Sequence, residues 1–163
     1  MKNEPALNNK GDLKEAKAPQ VSKQIRKECL RLLTRRDHSR KEIQDKMALK
    51  GYSRSEVSAV VDELTQQSWQ DDTRYAESYA RVRSQKGFGP VRIAYELRQQ
   101  GIEAETIENI VRSMEPVWQD ILMQVFIKKY TKPETVDSNE RSKRIRFLLQ
   151  RGFSSAMIND LFK

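Results

Sequence analysis

Gly51, Gly101 and Gly152 stand 50 and 51 residues apart in a chain of 163 that holds only six glycines. Each lies in the same setting, read in "LKGYS", "RQQGIEAE" and "LQRGFSS": a helix-like run, the glycine, a bulky apolar residue and a polar restart. Glycine accepts the left-handed conformation that ends a helix, so each reads as a helix stop. Apolar residues also agree across the three copies. Met47, Leu97 and Leu148 stand four residues before the glycine, Tyr52, Ile102 and Phe153 one after, and Val57, Ile107 and Ile158 six after. A period of this length is the mark of a tandem array, whose units bury their apolar faces by stacking on neighbours.

The runs between the glycines are helical. Val21, Ile25, Cys29, Leu32 and Leu33 recur at three- and four-residue steps, as do Val57, Val60, Val61 and Leu64. "SRKE" at 39–42 and "SRSE" at 53–56 have the form of capping boxes. Tyr75, Tyr79 and Val82 mark a fourth helix, broken by "KGFGP", where Pro90 suits the first position of a fifth. Val117, Ile121, Val125 and Phe126 follow, then the polar loop "TKPETVDSN", then Ile145, Leu148 and Leu149 as a buried face. No alternation of strand period persists. The expected fold is all-α: an elongated array of three tandem three-helix repeats over 21–71, 72–115 and 116–163. Residues 1–20, poor in apolar side chains, are expected to be a disordered tail.

Residue types exclude most enzyme chemistry. His38 is the only histidine and Cys29 the only cysteine, which leaves no basis for a zinc site or a disulfide. His38 reads as a surface or capping residue and Cys29 as a small core hydrophobe. "GFGP" lacks the lysine of a phosphate loop, and Asp71–Asp72 sit where carboxylates meet a helix start. Trp69 and Trp118 fall at unit boundaries, where packing is the default. The expectation is a protein without catalytic residues, cofactor or metal. With no membrane-length apolar run and no signal-peptide core, it is expected in the cytoplasm, as a monomer.

Charge points to the partner. The formal net charge is +8, and the excess lies in the first and last repeats, the middle one being neutral. Two clusters stand out: Arg31, Arg35, Arg36, Arg40 and Lys41, and Arg141, Lys143, Arg144, Arg146 and Arg151. Arg144 holds the position filled by Ile43 and Ile93 in the earlier repeats. Ile145 is taken to have slid one place to face the core, leaving Arg144 outward. The clusters hold a single aromatic residue, Phe147, too few to interleave with them, so base stacking is not expected from them. A repressor of helix-turn-helix type is an alternative on "SRKEIQDKMALKGYSRSEVSAVVDEL", but its second helix lacks the outward Arg, Asn or Gln of a base reader.

The segment "DDTRYAESYARVRSQKGFGPVRIAYELRQQGI" closely resembles the signature of the RecX family, regulators of the bacterial RecA recombinase, and "RFLLQRGFS" resembles that family's last repeat motif. The likeness runs from about residue 21 to the last residue. It implies a non-enzymatic modulator that lies in the groove of the RecA–DNA filament. Such a protein limits filament growth, ATP hydrolysis, strand exchange and the co-protease activity of the SOS response. Partners would be RecA and, directly, single- or double-stranded DNA. On the matched motif, Arg74, Arg83 and Arg92 are the candidate contacts, joined by Arg31, Arg35 and Arg36 and by Arg141, Lys143, Arg144, Arg146 and Arg151.

Overall fold

The structure, a computed structural model, describes residues 9–130 and 137–163, with side chains from residue 18 onward. These contain nine α-helices and no strand. The tail expected over 1–20 lies partly outside the described residues, and the backbone is helical from Asn9. Most of the polar loop "TKPETVDSN" also lies outside them.

Residues up to Asp71 form one compact unit and those from Asp72 another. The first holds α1 (Asn9–Leu33), α2 (Arg40–Leu49) and α3 (Arg54–Gln66). Its core is Ile25 and Cys29 from α1, Ile43 and Met47 from α2, and Val57, Val60, Val61 and Leu64 from α3. Burial pushes the Cys29 thiol up to about 11, so it stays protonated, as a core hydrophobe should. Ser53 and Glu56 close the expected capping box on α3. At α2 only half of the box forms. Ser39 accepts the amide of Glu42, but the Glu42 carboxylate is taken by the Arg36 guanidinium, with contacts of 2.5 and 3.0 Å. A two-pronged charged donor outcompetes one backbone N–H.

His38 is not on the surface. It is 4% exposed, Nδ1 lies 3.0 Å from the carbonyl of Arg36, and its own carbonyl accepts from buried Gln70. Burial lowers its pKa below the ordinary histidine range, against the smaller opposing pull of the Arg36 carbonyl and Glu42.

The second unit holds α4 (Asp72–Gln85), α5 (Pro90–Gln99), α6 (Ala104–Ser113), α7 (Glu115–Lys129), α8 (Ser138–Arg151) and α9 (Ser155–Leu161). One core joins Tyr75, Ala76 and Ala80 to Ile93, Leu97, Ile102, Ile107 and Ile110. Trp118, from the first turns of α7, closes that core and donates its indole N–H to the Val111 carbonyl at 3.0 Å. A second core gathers Leu122, Leu148, Phe153 and Ile158, and Ile121 and Met157 pack against both. The second and third repeats are thereby one compact body.

The repeat grammar holds throughout. Gly51, Gly101 and Gly152 all have positive φ, from +76° to +90°. Of the nine aligned apolar residues eight are buried, and Tyr52 is partly so. Two details differ from expectation. Leu149 is 45% exposed, and the Arg144 side chain only 11%. Ile145 does pack against the core, partly buried, but Arg144 is not freed outward: it keeps the inward position of Ile43 and Ile93. Its guanidinium lies 4.6 Å from the ring centre of Tyr130 and 5.9 Å from that of Phe126, and its Nε donates to Glu140 at 3.1 Å. A long stem with a planar, weakly hydrated head can line an aromatic wall where isoleucine lines an aliphatic one. Among the described residues, no helix is long and apolar enough to cross a membrane.

Candidate functional site

The "KGFGP" corner between α4 and α5 is clamped to the end of α8 by backbone. Gly89 N–H donates to the Arg151 carbonyl at 2.8 Å, and Val91 N–H to the Gly152 carbonyl at 3.0 Å. Neither glycine has room for a side chain. A Cβ on Gly89 would lie 2.4 Å from the Gly152 oxygen, and one on Gly152 would lie 2.3 Å from Cβ of Arg92. The glycines therefore set the distance between the two helix ends.

That approach gathers three arginines around Phe88. The guanidinium carbons of Arg83, Arg92 and Arg151 lie 3.7, 4.7 and 5.0 Å from its ring centre. Like charges converge because the ring face attracts each cation and Glu96 sits beneath two of them. The Glu96 carboxylate accepts from Arg83 Nε at 2.7 Å, Arg92 Nε at 3.0 Å and the Tyr79 hydroxyl at 2.9 Å. Burial would push the Glu96 carboxyl up, but the combined bonds from Arg83, Arg92 and Tyr79 hold it below the usual range. Tyr79 is driven the other way, first by burial and then by its bond to this carboxylate. The Arg151 side chain reaches the Lys86 carbonyl at 3.2 Å, and that of Arg92 the Gln150 carbonyl at 3.2 Å.

Of the candidates drawn from the sequence, Arg83, Arg92 and Arg151 thus meet at one corner. Arg74 is exposed near the start of α4 and is not among the arginines around Phe88. Arg141, Lys143 and Arg146 are exposed along α8, Arg141 with its guanidinium 5.5 Å from the ring centre of Phe162. Arg31, Arg35 and Arg36 are exposed in the first unit. Aromatics that are sparse along the basic clusters in sequence meet cations in space. Phe88, Phe126, Tyr130, Phe147 and Phe162 all meet cationic side chains, most of them from other helices. Sequence reading missed Lys86, Lys128, Lys129 and Phe147, which with Arg151 line a cleft in the second unit. The sequence signal that was available is the pair Lys128–Lys129 closing α7.

The exposed face of α3 carries Glu56, Asp62 and Glu63, and Asp62 is held by Arg40 at 2.6 Å. An acidic face opposes phosphates, so this helix is poorly made for a major groove. Among the described residues no cluster of His, Cys, Asp and Glu is placed to hold a metal ion.

Three family models match the chain in tandem: the first three-helix domain of RecX over residues 26–64, the second over 71–109 and the third over 119–162. The chain is 36% identical over 135 residues to a regulatory protein RecX of Legionella pneumophila, covering 83% of this chain and 90% of that protein. It belongs to the RecX family. A regulatory protein RecX of Pseudomonas fluorescens is 35% identical over 137 residues, or 84% of this chain and 88% of the relative. In fold, the chain is similar to the crystal structure of RecX from Lactobacillus salivarius, with a TM-score of 0.76 at 21% identity, covering 88% and 96% of the two chains. A second crystal structure of regulatory protein RecX gives 0.75 at 22% identity, over 98% of this chain and 81% of the other. The arginine corner takes Arg83, Phe88 and Arg92 from within the second RecX domain and Arg151 from the third, at the last turn of α8.

Proposed function

We propose that this protein regulates RecA without enzymatic chemistry of its own, by binding the RecA–DNA filament in its groove. There it limits filament growth, ATP hydrolysis, strand exchange and the co-protease activity that triggers the SOS response. It acts in the cytoplasm as a monomer. The observation that carries the reading is the tandem match of all three three-helix units to the successive RecX domains. The fixed cationic corner at Phe88 and the exposed Arg141, Lys143 and Arg146 of α8 add surfaces of the right sign for phosphates or acidic RecA side chains. Because Glu96 neutralises part of the corner, its cations are held in place by bonds rather than free to spread, which favours directional recognition over diffuse attraction.

The test is RecA ATPase activity on single-stranded DNA, titrated with this protein at sub-stoichiometric ratios. Inhibition well below one protein per RecA supports filament binding. Unchanged hydrolysis at stoichiometric amounts, with no binding to preformed filaments, refutes it.

A further inference from the structure

Beside the arginine corner, in the same compact unit, α4, α7 and α8 enclose an open cleft of about 580 Å³. Lys86, Lys128, Lys129 and Arg151 line it, and no carboxylate does. None of these four forms an ion pair among the described residues. Part of the surface elsewhere pairs its charges, as in Lys41 with Asp45, Arg112 with Glu108 and Lys163 with Asp160, and the exposed cations Arg141, Lys143 and Arg146 of α8 point outward along a helix instead of converging on a cleft. A merely solubilising surface intersperses the two signs, whereas four convergent cations raise the local potential and call for an anion.

The walls ask for something more than an anion. Ile121, Val125 and Phe147 give an apolar side, and the amides of Gln85 and Gln124 offer hydrogen bonds along it. The shape is held by backbone. A Cβ on Gly87 would lie 2.7 Å from Val125 Cγ2, so the glycine lets the end of α4 press against α7. Arg151 is tethered to the Lys86 carbonyl, and Lys129 Nζ sits 3.8 Å from the ring centre of Phe147. A preformed cleft of this size, apolar with a few convergent polar groups, is the form of a small-ligand site. We propose that it takes a nucleotide unit with an unpaired base: phosphates on Lys86, Lys128 and Arg151, and the base against Ile121, Val125 and Phe147. A duplex hides its bases in the stack and could use only the cations, whereas a single strand or a free nucleotide offers both parts. The proposal does not depend on the filament-binding function.

The full-length protein alone, without RecA, is titrated against a fluorescent oligodeoxythymidylate by anisotropy at low and high salt. Binding should weaken with salt. The pair Lys86→Glu and Lys128→Glu should reduce affinity about tenfold or more and flatten the salt slope by about 1.4, two phosphates' worth for a single strand. A control pair of equal charge change on exposed α1, Lys23→Glu and Lys27→Glu, should alter affinity by about twofold or less, the long-range part alone. Helicity of both variants is checked by circular dichroism. Displacement of the strand by ATP would make a free nucleotide an occupant of the site, and displacement only by a second strand would make the occupant a strand segment; both support the site. The proposal is overturned if the wild type binds neither strand nor nucleotide, or if a hairpin duplex binds as tightly as the strand. It is equally overturned if an oligoglutamate of equal charge displaces the strand as well as DNA does, or if the two variant pairs weaken binding alike. Because RecA is absent, each of these failures leaves the filament-binding function standing.

Discussion

Gly51 and Gly152 hold the same left-handed backbone, with φ of +87° and +90°, but their surroundings differ. Nothing lies within 4 Å of a Cβ built on Gly51, whereas one on Gly152 meets Arg92. Gly51→Ala is therefore expected to cost about 1 kcal/mol, the strain of a side chain in that conformation. Gly152→Ala adds overpacking and is expected to cost about 3 kcal/mol. Chemical denaturation of the two variants gives the comparison, and equal losses would show that the α5–α8 approach yields freely. At His38, burial sets the sign of a pH effect. Its folded pKa is lowered, so as pH falls through the unfolded value, about 6.5, the unfolded chain takes up the proton first and stability declines. The charged neighbours Arg36, Glu42 and Lys46 do not reverse this. Denaturation midpoints between about pH 7.5 and 5.5 should fall for the wild type and stay flatter for His38→Gln, since the Gln side chain has no proton to gain in this range. A matching slope in the variant would assign the effect to other groups.

At the scale of elements, α7 and α8 show why helix faces were read incompletely. α7 is apolar nearly all round, and it divides its contacts between two cores: Trp118 serves one and Leu122 the other. Its buried side, Trp118, Ile121, Leu122, Val125 and Phe126, is a single face, but exposed Val117, Met123 and Ile127 on the opposite side blur the stripe, so its buried residues could not be ranked from the sequence. On α8 the error ran the other way. Arg144 reads as outward by charge, but it lines the wall of Tyr130 and Phe126. Arg144→Glu would remove those contacts and set two carboxylates one turn apart, with an expected cost of about 2–3 kcal/mol. Arg146→Glu, on the exposed side, should change stability by about 0.5 kcal/mol or less. Thermal melts of the pair decide the orientation of α8. Glu96 binds α4 to α5, and Glu96→Gln should destabilise by about 1–3 kcal/mol, leaving Arg83, Arg92 and Tyr79 with a weaker neutral acceptor.

For the whole molecule, these orientations decide how the proposed filament contact is tested. Reversing Arg141, Lys143 and Arg146 to glutamate alters only exposed side chains and should keep the fold. If α8 faces the filament groove, the triple variant binds RecA–DNA filaments more weakly than wild type, with the difference shrinking as salt rises. Equal affinities at low and high salt, with helicity unchanged, would make α8 a solvated surface. A set that included Arg144 would confuse lost binding with lost folding.

The sequence by itself determined the helical class, the three repeats and the family. Each of these rests on local rules: an apolar residue every third or fourth position, a glycine where φ turns positive, a polar cap three residues before its partner. Such rules act within a turn or two, so one chain displays them. Tertiary structure alone decided which cations meet. Arg92 reaches a carbonyl 58 residues away and Arg151 one 65 residues away. Phe88 collects guanidinium groups from two helices and from the end of a third. The burial of His38 and Arg144 and the exposure of Leu149 belong with these. Long side chains on a helix can lie across a neighbour or stretch into water, and only the position of that neighbour selects between them.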